Sequence, residues 1–377
     1  MIGFGFKTLV CCLIIMLTAC ANTSVTSDKT IKIVTMGSFW QAVGGEAFLN
    51  GAKLAAKEAA FEYGPLGYTI IHEFHDDGND YSKGMLIVDE LLRDNSLTAL
   101  IGSQNLSILE MAAHRFENAG KLMIAPHGIA NQVMAEKGHR YIFSTAFSSY
   151  DVGAAAKEYA VIKGIKRWAV CYHDDVYTRH EIRGFTEHKN NLGVEIMDYQ
   201  KTSLTELNVD YIYRRWEALG VQGVFIAPGF WEGFNIVKLI RDRNKDIILM
   251  GDFAFDHRQA ILDMNEEMRG FLMVNAFSTD RQKPEYLSFK DRYEKEYGNQ
   301  LDTWAAHGYD AVRMVVDTAI KNQASHPEVI ANALREDGHQ GLAIHYSFRE
   351  NGELAPGFYS IARYSDGEFE DIKVYMR

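Results

Sequence analysis

The sequence predicts an α/β fold made of two doubly wound lobes, each built around a parallel sheet. From residue 31 onward, short apolar runs alternate with longer segments of helical periodicity, a pattern typical of strands connected by helices. The alternation provides more strands than one sheet of about five or six strands holds. The chain has 377 residues, enough for about two domains of ordinary size. Alternating strands and helices also imply right-handed crossovers and sheets covered on both faces.

Each element follows from local composition. The run Ile31–Met36 is apolar and β-branched and predicts the first strand, and Gly44-Gly45 precedes the first helix. In the first half we predict strands at 31–36, 68–74, 98–102 and 122–125, and helices at 44–61, 80–93 and 105–119. In the second half we predict strands at 168–172, 193–199, 221–227 and 247–250, and helices at about 150–163, 177–191, 206–219 and 232–243.

The last quarter of the chain changes character. Two successive helices, 284–298 and 302–321, break the alternation and are expected to pack across a lobe. Beyond residue 344, Asn351-Gly352 and Asp366-Gly367 stand between β-type runs and are hairpin signals. The tail is therefore expected to end in short antiparallel strands.

The first twenty residues indicate export. One cation, Lys7, precedes the apolar run Leu9–Leu17, which is too short to span a bilayer and ends in Thr18-Ala19-Cys20. This ending resembles a bacterial lipoprotein signal that is cut before a lipid-carrying cysteine, although an ordinary signal peptide ending near a cysteine is the alternative. We predict a signal peptide at 1–19, a lipid anchor at Cys20, a tether at 20–30, and an extracytoplasmic protein attached to a membrane.

Charge and cysteine content exclude several classes of protein. The formal net charge is −11, and removal of residues 1–19 with Lys7 leaves −12, which is unsuited to binding nucleic acid. Cys171 would be the one cysteine left beside Cys20, so no disulfide is expected within the mature chain. We expect no cofactor and no metal, and a monomer.

Three blocks carry a family resemblance. They are the helix 286–298 with its Phe289, Tyr293 and Tyr297-Gly298, the segment Ala305–Val312 with Gly308-Tyr309-Asp310-Ala311, and the turn Phe348–Gly352. Together with Ile101-Gly102, their order and spacing resemble the type I periplasmic binding proteins, on the branched-chain amino-acid branch, over about residues 31–377.

The resemblance implies two lobes joined by three crossings, near 144–148, 274–278 and 344–349. The N-terminal lobe would comprise 31–145 plus 277–345, and the C-terminal lobe 146–276 plus 346–377. A small solute would bind in the cleft, the lobes would close on it by hinge motion, and an ABC permease would be the membrane partner.

Loops at the carboxyl ends of the predicted strands supply candidate ligand-binding residues, because open α/β sheets bind ligands at that edge. Aromatic side chains in these loops would wall the solute and Asp252 would receive an amine, while the helix after the third strand would offer its N-terminal amides to an anion. Core packing or a hinge contact is the alternative for each aromatic residue. The candidates are Trp40, Gln41, Ser103, Asn105, Ser107, His127, Tyr177, Trp231 and Asp252.

Two positions depart from the family pattern. The resemblance implies hydroxyl residues that hold the ligand carboxylate, but the corresponding positions are Leu106 and Ile129, whose side chains donate no hydrogen bond. Either the register is off by one or the ligand is not a plain α-amino acid, and we favour the second interpretation. His127 would then be a replacement donor.

Other functions were weighed against solute binding for transport. The same module, with Ala21 after Cys20 favouring the outer membrane, would suit a sensor that signals to a membrane receptor. A secreted hydrolase would have to use Cys171 or His173. The run His72–Asp77 is rich in metal-ligand types, but His72 and His75 lie on opposite strand faces or beyond the strand, which favours a strand end with an acidic loop.

Overall fold

The computed structural model describes most of the chain downstream of the predicted tether. The described residues are 29–42, 44–126, 139–188, 193–202, 206–227, 230–275, 282–298, 301–342, 344–355, 359–365 and 367–374.

The first lobe contains a five-stranded sheet in the order β2-β1-β3-β4-β5, with every pair of neighbours parallel. Its strands are β1 (Thr30–Gly37), β2 (Thr69–Asp76), β3 (Ala99–Ile101), β4 (Leu122–Ala125) and β5 (Ile142–Ser144). The helices between them are α1 (Gly45–Tyr63), α2 (Tyr81–Arg93) and α3 (Leu106–Ala119), with a 3-10 turn at Gly64–Leu66.

The second lobe contains a seven-stranded sheet in the order β14-β13-β10-β9-β8-β6-β7. Its parallel strands are β6 (Arg167–Tyr172), β7 (Glu195–Lys201), β8 (Gly223–Ala227), β9 (Ile248–Asp252) and β10 (Leu272–Asn275), and the antiparallel ones are β13 (Tyr359–Ser365) and β14 (Glu368–Val374). Its helices are α4 (Ser149–Ile162), α5 (Val176–Glu187), α6 (Glu206–Leu219), α7 (Phe230–Arg241), α8 (Arg258–Asp263) and α9 (Asn265–Met268), with a 3-10 turn at Phe253–Phe255.

The helices α10 (Pro284–Tyr297), α11 (Thr303–Lys321) and α12 (Pro327–Asp337) belong with the first lobe. Glu58 of α1 accepts from Arg292 Nε of α10 at 2.7 Å and from the Tyr309 hydroxyl of α11 at 2.6 Å, which holds the three helices together. The short strands β11 (His339–Gln340) and β12 (His345–Tyr346) follow α12 and pair antiparallel.

The sheets are covered on both faces, as predicted. In β1, Ile33 packs into one fully buried apolar cluster with Phe48 of α1, whereas its neighbour Val34 packs into another with Ile108 of α3. Alternate side chains of a strand point to opposite faces, so one strand contributes to two cores. The predicted α/β class with parallel-sheet lobes is confirmed, and the antiparallel pair β13–β14 around Gly367 completes the second sheet.

Among the described elements the chain changes sheet after β5, after β10 and before β13. Ser144 N donates to Gly352 O at 2.9 Å, and the rings of Phe143 and Phe348 lie 5.0 Å apart. Residues 348–352 therefore lie against β5, next to the crossing predicted near 344–349. The predicted domain boundaries stay predictions.

Several elements had no counterpart in the sequence prediction, namely β5, α8, α9, β10, α12, β11 and β12. Within the ranges that the structure describes, no helix combines the length and apolarity needed to cross a bilayer.

Candidate functional site

The carboxyl ends of β1, β2 and β3 are joined by one buried carboxylate. Ser38 after β1 and Ser103 after β3 each donate to Asp77, which follows β2, at 2.5 Å. Asp77 is fully buried and also accepts from Asn79 N at 2.9 Å. Gly102 supports this arrangement with a φ of +133° and an approach to the Met36 carbonyl that leaves no room for a side chain. The result is a rigid loop cluster at the ligand edge of the first sheet.

The predicted contacts Ser103, Asn105 and Ser107 lie along the start of α3. The buried Ser103 hydroxyl donates to Asp77 and accepts from the backbone N–H of Asn105. The Asn105 side-chain oxygen caps the helix by accepting from the N–H groups of Ser107 and Ile108. Ser107 is exposed in the first helical turn and Leu106 is half-buried. The side chains of Ser103 and Asn105 thus bond within the loop, and their roles as ligand contacts stay predictions.

Gln104 is a polar residue of this loop that the sequence analysis did not select. Its side-chain oxygen lies against Gly37 at the end of β1, and neither its Oε1 nor its Nε2 has a hydrogen-bond partner among the described residues. A buried amide without a partner is unfavourable, so Gln104 is suited to bind a polar group of a solute. Its position between the candidates Ser103 and Asn105 was the one feature of the sequence that could have identified Gln104 as a site residue.

On the second lobe, two predicted residues meet. The Tyr177 hydroxyl at the start of α5 donates to Asp252 Oδ2 at the end of β9, at 3.2 Å, and Asp252 Oδ1 accepts from Ala254 N at 3.0 Å. Burial raises the pKa of the Asp252 carboxyl to about 6. Burial also raises the pKa of the Tyr177 phenol, which therefore keeps its proton and donates. In its ionised form the Asp252 carboxylate can bind a cationic group.

A second buried acid, Glu181, lies near the Tyr177–Asp252 pair. Glu181, one helical turn after Tyr177 on α5, is fully buried, and neither carboxyl oxygen has a hydrogen-bond partner among the described residues. Burial, followed by the negative charges of Asp252 and Asp175, raises the pKa of Glu181 well above its usual range. We found no sequence signal for Glu181 other than its i,i+4 spacing from Tyr177.

A groove of about 600 Å³ runs between the two lobes. From the first lobe, the loop after β1 contributes Phe39 and Trp40, and the indole of Trp40 is 60% exposed. From the second lobe, the loop after β9 contributes His257, and α8 contributes Leu262. Loops at the carboxyl ends of both sheets therefore line one opening, as the strand-end rule requires of a ligand site.

Contacts beside the groove connect the lobes directly. The rings of Phe253, after β9, and Trp304, at the start of α11, lie 5.3 Å apart, and Phe253 also packs edge-on against Tyr177. Asp256 accepts from the N–H and hydroxyl groups of Thr303 at the N-terminus of α11. The sequence analysis missed these residues, because only the folded chain brings the loop after β9 to α11.

The remaining candidates are placed only in part. Gln41 is exposed next to Trp40. His127 and Ile129 lie outside the described residues, and Trp231 lies in the first turn of α7 with its side chain outside the description. Their proposed ligand contacts stay predictions.

The metal and nucleophile alternatives gain no support. Among the described side chains, no group of three or more His, Cys, Asp or Glu is placed to hold a metal ion. His72 bonds Thr35 Oγ1 at 2.8 Å, and burial lowers the pKa of its imidazole to about 4. Cys171 is fully buried in β6, and burial raises the pKa of its thiol, which opposes formation of a thiolate nucleophile.

Two α/β lobes with a groove between their strand-end loops define the class of bilobed solute-binding proteins. The chain belongs to the periplasmic binding protein family, whose model, described as "Periplasmic binding protein", matches residues 33–368. The type I assignment and the α/β architecture predicted from the sequence are confirmed by the relatives and solved structures. Members of this family work outside the cytoplasm.

Curated relatives align over most of the chain. It is 26% identical over 339 residues to the leucine-specific-binding protein of Salmonella typhimurium, covering 89% of this chain and 90% of the relative. It is 21% identical over 341 residues to the leucine-, isoleucine-, valine-, threonine-, and alanine-binding protein of Pseudomonas aeruginosa, covering 89% of each.

Solved structures share the fold. The ABC transporter substrate-binding protein of Desulfitobacterium hafniense, in complex with Leu, has a TM-score of 0.80 at 23% identity, covering 91% of this chain and all of that one. A solute-binding protein of an ABC transporter from R. palustris, in complex with benzoate, has a TM-score of 0.78 at 16% identity, covering 92% and 96%.

Proposed function

We propose that this chain is a lipid-anchored, extracytoplasmic solute-binding protein that captures a small amino-acid-like, amide or aromatic solute and delivers it to an ABC permease. The observation that carries the proposal is the groove lined by Trp40 from one lobe and His257 from the other. The relatives named for leucine and the solved structures with leucine or benzoate support solutes of this size. Anchoring rests on Cys20 and the preceding signal.

Two polar groups at the strand ends, Asp252 in the second lobe and Gln104 in the first, favour different parts of a solute, although neither lines the groove in this structure. Asp252, bonded by Tyr177, suits an amine when its carboxyl is ionised. On the other lobe, Leu106 offers no side-chain donor, whereas the unpartnered amide of Gln104 can both donate and accept. This pairing favours an amine combined with an amide or another neutral polar group over a plain α-amino acid.

Capture would work as a population shift between open and closed lobes. A solute that contacts both lobes favours the closed state by its differential affinity, and a change from 1:99 to 99:1 closed requires about 5.5 kcal/mol. A charge-assisted hydrogen bond to Asp252 together with aromatic packing on Trp40 is of this order. The closed state then presents the lobes to the permease in one fixed arrangement.

A thermal-shift panel tests the function. Purified protein is heated with L-leucine, leucinamide, benzoate or putrescine, which represent amino acids, amides, aromatic acids and polyamines. We expect leucinamide to raise the melting temperature more than L-leucine, because the Gln104 amide can bind an amide group whereas Leu106 offers no donor to a carboxylate. A solute at a hundred times its dissociation constant stabilises the native state by about 2.7 kcal/mol. A melting temperature unchanged by every compound at millimolar concentration contradicts the proposal.

Trp40→Ala is expected to weaken binding of the most effective panel compound at least tenfold, which corresponds to about 1.4 kcal/mol. The indole is 60% exposed, so its removal should change the free energy of unfolding by no more than about 0.5 kcal/mol. Isothermal titration calorimetry measures the affinity and urea denaturation the stability. Tyr211→Ala, at a 70% exposed aromatic of α6, is the matched control and should leave both unchanged. Equal affinities of Trp40→Ala and wild type would remove Trp40 from the site.

A further inference from the structure

A protruding apolar corner ends the first helix. Helix α1 stops at Tyr63, the turn Gly64–Leu66 follows, and Tyr68 N donates back to Tyr63 O at 3.2 Å. The side chain of Phe61 is 86% exposed, more than any other large apolar side chain in the described part of the chain, and Leu66 is 59% exposed. Pro65 between them is exposed as well. Phe61 and Leu66 are thus two exposed apolar side chains on either side of one ordered turn.

The chain enters the fold directly beside this corner. Lys29, the first described residue, donates from Nζ to the Leu66 carbonyl at 3.0 Å, and its own carbonyl accepts from Thr69 N at 2.9 Å. Cys20 lies nine positions before Lys29, a distance along the chain that spans at most about 30 Å. A lipid on Cys20 would therefore keep the corner within about 30 Å of a membrane at all times.

We propose that Phe61 and Leu66 insert into the interface of the phospholipid bilayer that carries the anchor, an inference that rests on the proposed lipidation of Cys20. Aromatic and aliphatic side chains partition into the boundary between headgroups and acyl chains, where such contacts add to the attachment that a lipid anchor provides. Lys29, which enters the fold beside the corner, carries positive charge suited to lipid phosphates. A bilayer is favoured over a second copy of the chain because the tether holds the corner at high effective concentration near lipid.

The proposed contact leaves the groove open. The corner lies at the amino end of β1, whereas Trp40 follows the carboxyl end of this eight-residue strand, about 26 Å away. The first lobe would contact the bilayer with the amino end of β1, which is the end of the lobe farther from the bound solute. Membrane contact and solute capture can therefore be measured independently of each other.

The test uses the full lipidated chain in vesicles of phosphatidylethanolamine and phosphatidylglycerol. In a Phe61→Cys variant the new thiol can be labelled selectively with an environment-sensitive fluorophore, since Cys171 is fully buried and Cys20 would be acylated. We expect at least a twofold rise in emission on vesicles and quenching by spin-labelled lipid. Adding Leu66→Ser should reduce the rise at least by half, and the same label at Tyr211→Cys, on the exposed face of α6, should not respond.

Each outcome has a distinct meaning. A lipidated chain whose label at position 61 behaves as in water contradicts the inference and leaves the anchor intact. A mature chain that mass spectrometry shows to carry no lipid contradicts both. Emission that rises with protein concentration in the absence of vesicles indicates a second copy as the partner and also contradicts the inference. The thermal-shift panel is expected to give the same result for the Phe61 and Leu66 variants as for wild type.

Discussion

Gly153→Val is expected to lower the free energy of unfolding by about 3 kcal/mol, because two helices of the second lobe touch through their backbones. A side-chain carbon at Gly153 of α4 would lie 1.8 Å from the Glu181 carbonyl oxygen of α5, and one at Gly184 of α5 would lie 1.9 Å from the Tyr150 carbonyl oxygen of α4. Both obstacles are backbone atoms, so no rotamer change relieves the overlap. Urea denaturation followed by circular dichroism measures the loss.

The substitution should also disturb the site. Helix α5 carries Tyr177, so separating it from α4 moves the phenol away from Asp252 and should abolish the thermal shift given by panel compounds. Ile162→Val, at a 63% exposed position of the same α4, is the control and is expected to change stability by less than about 0.5 kcal/mol. A Gly153→Val protein as stable as this control would show that the helices can separate without penalty.

Long periodic segments were predictable from the sequence, and short ones were not. Strand β1 and helix α11 were placed within two residues, because alternating or helical periodicity over eight or more residues reports the buried face. Strands β5 and β10 consist of three and four buried residues, too few for any period to be recognised. The sequence analysis therefore predicts a crossing near 144–148 and no strand at 142–144, although these three residues form the edge of the first sheet.

The strand-end rule selected the loops of the site but not the side chains within them. It named Trp40, which lines the groove, and Tyr177 and Asp252, which share a hydrogen bond across 75 residues of sequence. The roles of these three residues as ligand contacts stay predictions. It also chose Ser103 over Gln104, yet Ser103 turns inward to Asp77, a residue that lies 26 positions earlier. Which loop residue turns inward depends on such long-range partners, which local composition does not reveal.

Buried acids were beyond prediction for the same reason. On the helix pattern alone, Glu181 is a polar residue like its neighbours, and only the packing of α5 against α4 removes it from water. Asp252 was chosen for its position after a strand, whereas its raised pKa depends on burial. The two carboxyls are thus titratable groups buried next to the candidate site, so a change of pH should alter the stability of this region.

Glu181→Gln is expected to make the protein more stable at neutral pH and to flatten its dependence of stability on pH. Burial raises the pKa of Glu181 in the folded chain above its unfolded value, so its contribution to stability is fully present below the unfolded pKa and declines as pH rises towards the folded pKa. The decline amounts to about 1.4 kcal/mol for each pH unit over which the native carboxyl keeps a proton that the unfolded chain has released. Glutamine has a similar shape and no proton to release, so this decline should disappear.

Urea denaturation of wild type and Glu181→Gln at half-unit steps from pH 4 to pH 8 measures the difference. The two curves should meet near pH 4 and separate as pH rises, with the variant the more stable. A parallel but smaller decline from Asp252, whose pKa burial raises to about 6, should remain in both proteins up to that pH. Glu187→Gln makes the same charge change on the same helix at an exposed carboxylate paired with Arg183, and should track wild type. Curves for Glu181→Gln and wild type that stay parallel from pH 4 to pH 8 would mean that Glu181 titrates in the native state as it does in water, and hence that the space beneath Asp252 is open to solvent.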